Sequence, residues 1–397
     1  MARRMHSTEP ATERAFLVAA ETFGALLPVE ESIAELGELA RTAGAEVVGQ
    51  ATQRIEHPNP ATYIGKGKVE EVAEARRELD ANVVIFDDEL SPSQQRNLER
   101  AIGGKVLDRT ALILDIFATH AHTREGRLQV ELAQLQYLLP RLAGQWSHLE
   151  RMEGAIGTRG PGETQIETDR RLINNRIARI RRELEDVRSQ RAQYRRRRAR
   201  NGMPVVTLVG YTNAGKSTLM RSLSGADVLA ENKLFATLDP VTRRLRLPSG
   251  EVVLLTDTVG FIQKLPTDLV AAFRATLEEV AEADLLVHVI DISHPAAYEQ
   301  TQAVERTLRE IGAEGRPMLL ALNKLDLLTD ENGHPVADFD DARAIIHGAG
   351  APPRNVAVVS ATRRWGLERL LERIEAGLDG EFDGVSNPSE ALLAAGE

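Results

Sequence analysis

The stretch VVTLVGYTNAGKSTL, Val205 to Leu219, decides the fold of the second half of the chain. Its apolar start predicts a strand, and the loop that follows matches G-x-x-x-x-G-K-[ST] directly before a helical stretch. In such a loop backbone N–H groups surround phosphate, Lys216 neutralises the β and γ charges, and the Ser217 hydroxyl reaches Mg²⁺. The pattern predicts a P-loop nucleotide site rather than a chance glycine turn, formed by Gly210, Tyr211, Thr212, Asn213, Ala214, Gly215, Lys216, Ser217 and Thr218.

The base of that nucleotide is indicated by NKLD, which follows the apolar strand PMLLAL. A carboxylate at Asp326 can accept both the ring N–H and the exocyclic amine of guanine, whereas adenine offers no such pair of donors. Four residues alone would more often be an ordinary surface loop, but their order after a P-loop favours GTP and GDP. Asn323 is expected to brace either the loop or the base, Lys324 to pack on the base beside Leu325, and the backbone of Ser360, Ala361 and Thr362 to complete the pocket.

Two switch segments are predicted between these motifs, FATLDP and DTVG. The Thr237 hydroxyl would join Ser217 as an Mg²⁺ ligand only when a γ-phosphate is present, and the Gly260 N–H would bond that same phosphate. Asp257 is expected to orient Mg²⁺ through water. A turn residue before Asp239-Pro240 is the alternative for Thr237. Lys216, Thr237 and Gly260 are thus the catalytic candidates, and the segments also supply the candidate binding residues Phe235, Ala236, Leu238, Asp239, Thr258 and Val259.

Phe261 follows Gly260 at the position where many GTPases place a glutamine that orients water. An apolar ring cannot do this, so we expect slow intrinsic hydrolysis and strong stimulation by a bound assembly. Two interpretations of Asn213 are open. Its side-chain oxygen could coordinate K⁺ that bridges the phosphates, or it could serve only as a turn residue.

Composition indicates a chain of several domains, because 397 residues exceed what one core usually holds. Apolar residues make up 42% and charged residues 27%, as in average globular proteins. The chain has no cysteine and no apolar run that could span a bilayer, and its start lacks the apolar core of a signal peptide. We therefore expect a cytoplasmic protein without membrane insertion.

The net charge of −10 hides an asymmetry. Residues 169–200 contain thirteen arginines against four acidic residues, which is +9, so the remainder carries −19. Electrostatic contact with RNA phosphate would concentrate on this segment, with a solvated helical face as the alternative.

Alternation of apolar runs and helical patterns divides the chain into segments of α/β and helical character. A flexible N-terminus at 1–14 precedes a small α/β domain with a mostly parallel sheet at 15–120, in which Ser91 is a plausible N-cap before Pro92. A basic helical hairpin is expected at 121–200, a P-loop GTPase domain of the doubly wound type at 201–377, and an acidic mobile tail at 378–397.

The hairpin prediction rests on two heptad seams. The first has leucines or their equivalents at 128, 132, 135, 139, 142, 146 and 149, and the second runs from Ile173 to Tyr194 with a break at Arg191. GAIGTRGPGE, residues 154–163, cannot continue a helix and would form the tip loop. The simplest result is an antiparallel two-helix coiled coil with arms of about 40 Å, the first bent at Pro140.

The first domain contains a further glycine-lysine segment, YIGKGK, Tyr63 to Lys68. It precedes a helix and offers bare amides and two lysines to an anion, either RNA phosphate or a second nucleotide such as ATP. A glycine turn with solvated lysines is the alternative.

These segments together resemble the HflX family of ribosome-associated GTPases. The resemblance is carried by GYTNAGKSTL, LFATLDPVTR and DTVGFI, and more specifically by NPATYIGKGKVEE, DDELSPSQQRNLE, LDRTALILDIFATHAHTREGRLQVELAQLQYLLPRL and IGTRGPGETQIETDRR. It covers about residues 55–365, and the first fifty residues and the tail match least.

The resemblance implies a GTPase that binds the 50S subunit and 23S rRNA, splits stalled or idle 70S ribosomes, and directs the hairpin loop toward the peptidyl transferase region. It also favours Mg²⁺ with Ser217 and Thr237 as ligands. We expect a monomer off the ribosome. Two alternatives stay open: an ATP-dependent RNA remodeller that works through the N-terminal domain, and an assembly or signalling GTPase that binds ribosomes without splitting them.

Overall fold

The computed structural model describes residues 12–24, 26–142, 161–200, 202–225, 234–235, 237–264, 280–330, 333–347 and 353–382, with the side chains of segment 161–200 described from 167 to 191. Ala236, most of the expected tip loop (154–160) and most of the two expected mobile ends (1–11 and 383–397) lie outside these residues. The chain divides into two compact units. One holds the residues up to Ile116 and those described between Pro140 and Glu167, and the other holds Phe117 to Leu139 and those described from Thr168 onward.

The first unit contains a four-stranded parallel sheet in the order β2-β1-β3-β4. Parallel neighbours need crossover connections, which here are helices. The predicted α/β architecture with a parallel sheet is confirmed. The elements in chain order are β1 (Arg14–Thr22), α1 (Val29–Thr42), β2 (Glu46–Ile55), α2 (Lys66–Glu78), β3 (Val83–Phe86), α3 (Pro92–Ile102) and β4 (Lys105–Asp108). Helix α4 (Arg109–His120) follows and contains the boundary between the two units.

Helix α3 begins at the predicted cap. The Ser91 hydroxyl accepts the Gln94 N–H at 3.2 Å, and the Gln94 side chain accepts the Ser91 N–H at 2.9 Å. Pro92 occupies the first turn, where a missing N–H costs nothing.

The two hairpin helices are α5 (Arg124–Leu138) and α6 (Pro161–Arg200), and they pack through part of the predicted apolar seam. Seam positions 146 and 149 and the side chain of Tyr194 lie outside the described residues. Glu131 of α5 pairs with Arg176 at 2.6 Å, and Arg124 pairs with Glu183 at 3.3 Å. Because the earlier residue of α5 meets the later residue of α6, the helices are antiparallel. The buried seam residues are Leu128, Leu132, Ile177, Ile180 and Leu184.

Three details of the hairpin differ from the sequence prediction. Helix α5 ends at Leu138, two residues before the expected bend; Leu139 still has a helical backbone, and Pro140 lacks the N–H that would continue the helical hydrogen bonds. Helix α6 already begins at Pro161, so the last residues of the predicted tip loop are helical; proline is tolerated in a first turn. With 40 residues, α6 is about 60 Å long rather than 40 Å.

The second unit also contains a six-stranded sheet in the order β10-β9-β8-β5-β7-β6. The neighbouring strands other than β6 are parallel, as the doubly wound pattern predicts. Strand β6, which was not predicted, is antiparallel to β7. Its elements are β5 (Val205–Gly210), α7 (Lys216–Ser224), β6 (Val241–Arg246), β7 (Val252–Asp257), β8 (Leu285–Asp291), α8 (Ala297–Glu310), β9 (Met318–Asn323), α9 (Phe339–His347), β10 (Val356–Val358) and α10 (Leu367–Leu378).

The carboxyl ends of the parallel strands bring the motif residues together. Gly210, Asp257, Asp291 and Asn323 are the last residues of β5, β7, β8 and β9. In open α/β sheets this edge is where ligands bind. Among the described helices, none combines the length and apolar character required to cross a membrane.

Candidate nucleotide-binding site

The P-loop connects β5 to α7 and wraps around its own lysine. Lys216 Nζ donates to the Gly210 carbonyl at 3.0 Å and to the Tyr211 carbonyl at 2.7 Å. The loop turns through left-handed conformations at Asn213 (φ 60°) and Gly215 (φ 96°). A Cβ at Gly215 would also collide with the Asn323 amide, so this position requires glycine.

Burial makes the Lys216 ammonium a stronger acid than a lysine in water. The side chain is enclosed, and this burial lowers its pKa to about 8, while the negative charge of Asp257 opposes the shift. An ammonium removed from water gains most from an anionic partner. A nucleotide phosphate supplies that charge at the position the P-loop sequence predicts.

Three oxygen-bearing side chains meet beside the start of α7. Asp257 Oδ2 accepts hydrogen bonds from the Ser217 hydroxyl at 2.6 Å and the Thr237 hydroxyl at 3.1 Å, and the two hydroxyls are 2.8 Å apart. The second carboxylate oxygen, Oδ1, is buried without a hydrogen-bond partner among the described residues. Burial raises the pKa of Asp257, and Lys216 opposes this. Mg²⁺ prefers oxygen ligands of this kind, so the side chains fit the predicted metal.

Gly260 packs directly on the P-loop, and backbone hydrogen bonds of Phe261 hold it there. A Cβ at Gly260 would lie 2.8 Å from Thr212 Cα and 3.1 Å from Lys216 Nζ. Phe261 donates its N–H to the Gly210 carbonyl at 3.1 Å and accepts the Thr212 N–H at 2.7 Å. Its ring is 1% exposed and belongs to the core, so it is held away from any attacking water.

Asn323 connects the NKLD loop to the P-loop. Its side-chain N–H donates to the Ala214 carbonyl at 2.8 Å, and its side-chain oxygen accepts the Ala361 N–H at 3.0 Å. Asn323 thus forms a bridge between three loops, which corresponds to the loop-bracing alternative. A shift of any one loop would break a hydrogen bond of the buried Asn323 side-chain amide, and an unsatisfied buried amide destabilises the folded state.

The other residues of NKLD are oriented by partners outside the motif. Asp326 Oδ1 accepts the Ser360 hydroxyl at 2.5 Å, and that hydroxyl accepts the Arg363 N–H at 3.0 Å. A carboxylate has about four acceptor positions, so capacity remains for guanine. Lys324 Nζ lies 2.7 Å from Asp291 Oδ2, which holds the lysine stem in place.

Several predicted site residues use their side chains elsewhere. Phe235 packs on Phe117, Asp239 bonds Thr123, and the Thr258 hydroxyl donates to the Leu208 carbonyl at 2.7 Å. Any contact of these residues with nucleotide would come from their backbone. Of the rest, Tyr211, Thr212, Ala214, Leu238, Val259, Leu325 and Ala361 are buried, Thr218 is half-buried, and Asn213 and Thr362 are exposed.

Two residues of the site region were not predicted. Asp291 could have been found, because an acidic residue at the end of a buried strand that precedes a nucleotide motif is a recognisable signal. His288 on β8 carries no such signal. It is 1% exposed, and burial lowers its pKa to about 3, with a contribution from Lys216, so it is neutral.

The YIGKGK segment has internal partners. The Gly65 N–H donates to the Gln53 side chain at 2.9 Å, and Lys68 pairs with Glu71 at 2.8 Å. Lys66 is 93% exposed. These contacts favour the turn reading over a preformed anion site.

The basic helix α6 divides its arginines between two environments. Arg176, Arg179 and Arg191 pair with glutamates of the hairpin. Another group has its side chains in solvent, and it comprises Arg170, Arg171, Arg181 and Arg182. The second group leaves an exposed cationic face that suits phosphate.

Comparison with known proteins agrees with this geometry. Three family models match the chain: GTP-binding GTPase N-terminal at residues 30–118, GTP-binding GTPase Middle Region at 120–198, and 50S ribosome-binding GTPase at 205–324. The GTPase HflX of Caldanaerobacter subterraneus subsp. tengcongensis is 52% identical over 90% of this chain and 79% of its own length. The GTPase HflX of Escherichia coli (strain K12) is 48% identical over 88% of this chain and 80% of its own length.

The solved structures include a similar whole chain. The crystal structure of an SsGBP and GDP complex is 27% identical, with a TM-score of 0.50, and the match covers 93% of this chain and 99% of that one. The motifs, their convergence at one sheet edge and the relatives at about half identity lead to one conclusion. The chain belongs to the HflX family of GTPases and is a P-loop enzyme that hydrolyses GTP.

Proposed function

We propose that this GTPase binds the large ribosomal subunit through 23S rRNA and splits stalled or idle 70S ribosomes into subunits. The observation that carries the proposal is the exposed arginine face of α6. This helix ends at Arg200, and β5 and the P-loop follow it within a few residues, so a contact on α6 lies close in sequence to the nucleotide site. RNA phosphate attracts such a face. The match to a family model described as 50S ribosome-binding GTPase supports the same partner.

In hydrolysis, a water oxygen bonds to the γ-phosphorus while the bond to the β–γ bridging oxygen breaks, and the water gives up a proton to solvent, which yields GDP and hydrogen phosphate. Lys216 and the P-loop amides balance the phosphate charge, and the Gly260 N–H would bond the γ-phosphate. Ser217 and Thr237 would hold Mg²⁺, with Asp257 behind a bound water. When bound, Mg²⁺ neutralises charge on the phosphate oxygens.

Phe261 stands where many GTPases have a glutamine, and its buried ring cannot orient the attacking water. We therefore expect the free protein to be slow and the ribosome to complete the water-positioning arrangement. Asn213 is proposed as the ligand of a K⁺ ion that assists the phosphates. Replacing K⁺ with Na⁺ should slow hydrolysis in the wild-type protein, whereas Asn213→Ala should be slow in both salts; equal rates in the two salts would leave Asn213 as a turn residue.

Light scattering of intact 70S ribosomes tests the splitting activity. We expect the signal to fall with the protein and a non-hydrolysable GTP analogue, and to stay constant with GDP. Deletion of residues 154–163 should spare GTP binding and abolish splitting. Pelleting with ribosomes but no loss of the 70S signal would leave only the non-splitting assembly or signalling role.

The ATP-dependent alternative is tested separately by Lys66→Ala and Lys216→Ala. ATP binding that survives Lys216→Ala but is lost in Lys66→Ala would establish a second nucleotide site in the first unit. Loss of both nucleotides in Lys216→Ala would exclude it. The partners of Gly65 and Lys68 make this our second choice.

Other expectations accompany the main proposal. We infer a cytoplasmic location because ribosomes and GTP are found there, and a monomer off the ribosome. We also retain boundaries near residues 14, 120, 200 and 377; α4 ends at His120 and α6 ends at Arg200. Sedimentation of the free protein checks the monomer.

A further inference from the structure

The switch segment around Thr237 is attached to the base of the hairpin through Asp239. The Asp239 carboxylate accepts the His122 N–H and the Thr123 N–H, both at 2.8 Å, and also the Thr123 hydroxyl. Thr123 is the N-cap of α5, and its hydroxyl accepts the Gly126 N–H at 2.9 Å. A residue of the switch segment thus completes the cap of a hairpin helix.

A second anchor lies on the other side of Thr237. The Phe235 ring packs edge-on against Phe117 of α4, with 4.7 Å between ring centroids and 88° between planes. Both rings are buried. Phe235 also has φ of 58°, a conformation that a non-glycine residue holds only when its surroundings impose it.

Thr237 is two residues from each anchor. Its hydroxyl meets Ser217 at 2.8 Å and Asp257 at 3.1 Å, at the proposed Mg²⁺ site. Two residues of chain span at most about 7 Å, so little slack separates Thr237 from Asp239. A large movement of Thr237 would therefore strain the bonds of Asp239 to α5.

The cap is in turn connected to the basic helix. Glu125, in the first turn of α5, is largely buried and pairs with Arg191 of α6 at 2.8 Å. Arg124 pairs with Glu183 of the same helix at 3.3 Å. A change at the α5 cap would thus reach α6 through side chains that are already paired.

We propose that Asp239 is a positioning residue that couples the nucleotide state of the P-loop to the hairpin. With GTP bound, Thr237 stays at Ser217 and Asp257, and Asp239 keeps the α5 cap closed. With GDP bound, Thr237 is released and the cap loosens. Coupling is reciprocal, so a partner that holds the hairpin also favours the GTP conformation. Only this last consequence rests on the proposed ribosome partner.

Hydrogen exchange of the isolated full chain tests the coupling without ribosomes. In the wild-type protein, the amides of residues 122–126 should exchange more slowly with a GTP analogue than with GDP. In Asp239→Asn they should exchange fast with both, and the ratio of analogue affinity to GDP affinity should fall about tenfold. Asp338→Asn is the matched control, because Asp338 accepts the Asp340 and Asp341 N–H groups at 3.0 Å, which is also a helix-capping role.

The control should leave both the exchange difference and the affinity ratio unchanged. If Asp239→Asn does not fold, Phe117→Leu weakens the other anchor and should reduce the exchange difference in the same direction. The proposal is overturned if the wild-type amides exchange equally with both nucleotides, or if Asp239→Asn keeps the difference. A wild-type protein that shows the difference but does not bind ribosomes would disprove the proposed function and leave this coupling intact.

Discussion

Arg191 of α6 and Glu125 of α5 form an ion pair across the hairpin seam, with 2.8 Å between the guanidinium and the carboxylate. Arg191 occupies the one seam position where an apolar residue is due. Glu125 is 8% exposed, and the Gln129 side chain donates to it at 3.3 Å. A polar pair inside an apolar seam is a known means of fixing register, and we interpret Arg191 in this way.

Completing the seam with Arg191→Leu should therefore destabilise the hairpin instead of stabilising it. The change leaves the buried Glu125 charge without this cation, at a cost of about 1–2 kcal/mol after allowance for the partial exposure of Arg191. The double variant Glu125→Leu, Arg191→Leu should recover most of this loss. Denaturant unfolding of the two single variants and the double variant measures the coupling, and additive effects would contradict a register-fixing pair.

Asp326→Asn should change the base that is bound. The amide replaces one acceptor oxygen with a donor, so GTP affinity should fall by about 3 kcal/mol, or roughly a hundredfold, and xanthosine triphosphate should bind better than in the wild type. Ser360→Ala should cost less, because it removes only the group that orients the carboxylate. Titration with fluorescent nucleotides measures both. Unchanged GTP affinity in Asp326→Asn would refute the guanine assignment.

Nucleotide affinity should decrease at alkaline pH. The pKa of Lys216 in the free protein is about 8, and a bound phosphate would raise it. Below pH 8 Lys216 is charged and nucleotide binding is strong. Above pH 8 the free protein loses the Lys216 proton, so nucleotide affinity should fall by up to about tenfold per pH unit until the pH reaches the pKa of Lys216 in the complex. Calorimetry with GDP from pH 7 to 9, in two buffers of different ionisation enthalpy, should detect proton uptake. Lys216→Arg, which keeps its charge, should show none.

Acid should destabilise the second unit through His288. The pKa of His288 is about 3 in the folded protein and about 6.5 in an unfolded chain. The contribution of neutral His288 to the free energy of unfolding is therefore complete above pH 6.5 and is lost as the pH falls toward 3. Between pH 6.5 and 5 the loss is about 2 kcal/mol. Denaturant unfolding of wild type and His288→Leu at both pH values measures it. The variant should show a smaller decrease, and an equal decrease would place the sensitivity elsewhere.

The chemistry of the site was readable because its motifs are local. Gly210 to Ser217 and Asn323 to Asp326 are short runs whose residue types suffice to predict phosphate and guanine contacts. Secondary structure was readable for the same reason, as the cap at Ser91 shows. The end of α5 at Leu138 was not readable in this way, because the sequence pattern does not tell whether a proline bends a helix or follows its end.

The amino-acid sequence by itself determined which groups are available: a glycine-rich loop with a lysine, two hydroxyls, the carboxylate of NKLD and an arginine-rich helix. Only the tertiary structure decided how they are linked. Asn323 bonds Ala214 across 109 residues, and Asp239 bonds Thr123 across 116. These partners meet because folding brings residues from distant parts of the chain next to one another. A hydrogen bond depends on distance and angle in space, which residue type and sequence spacing do not specify.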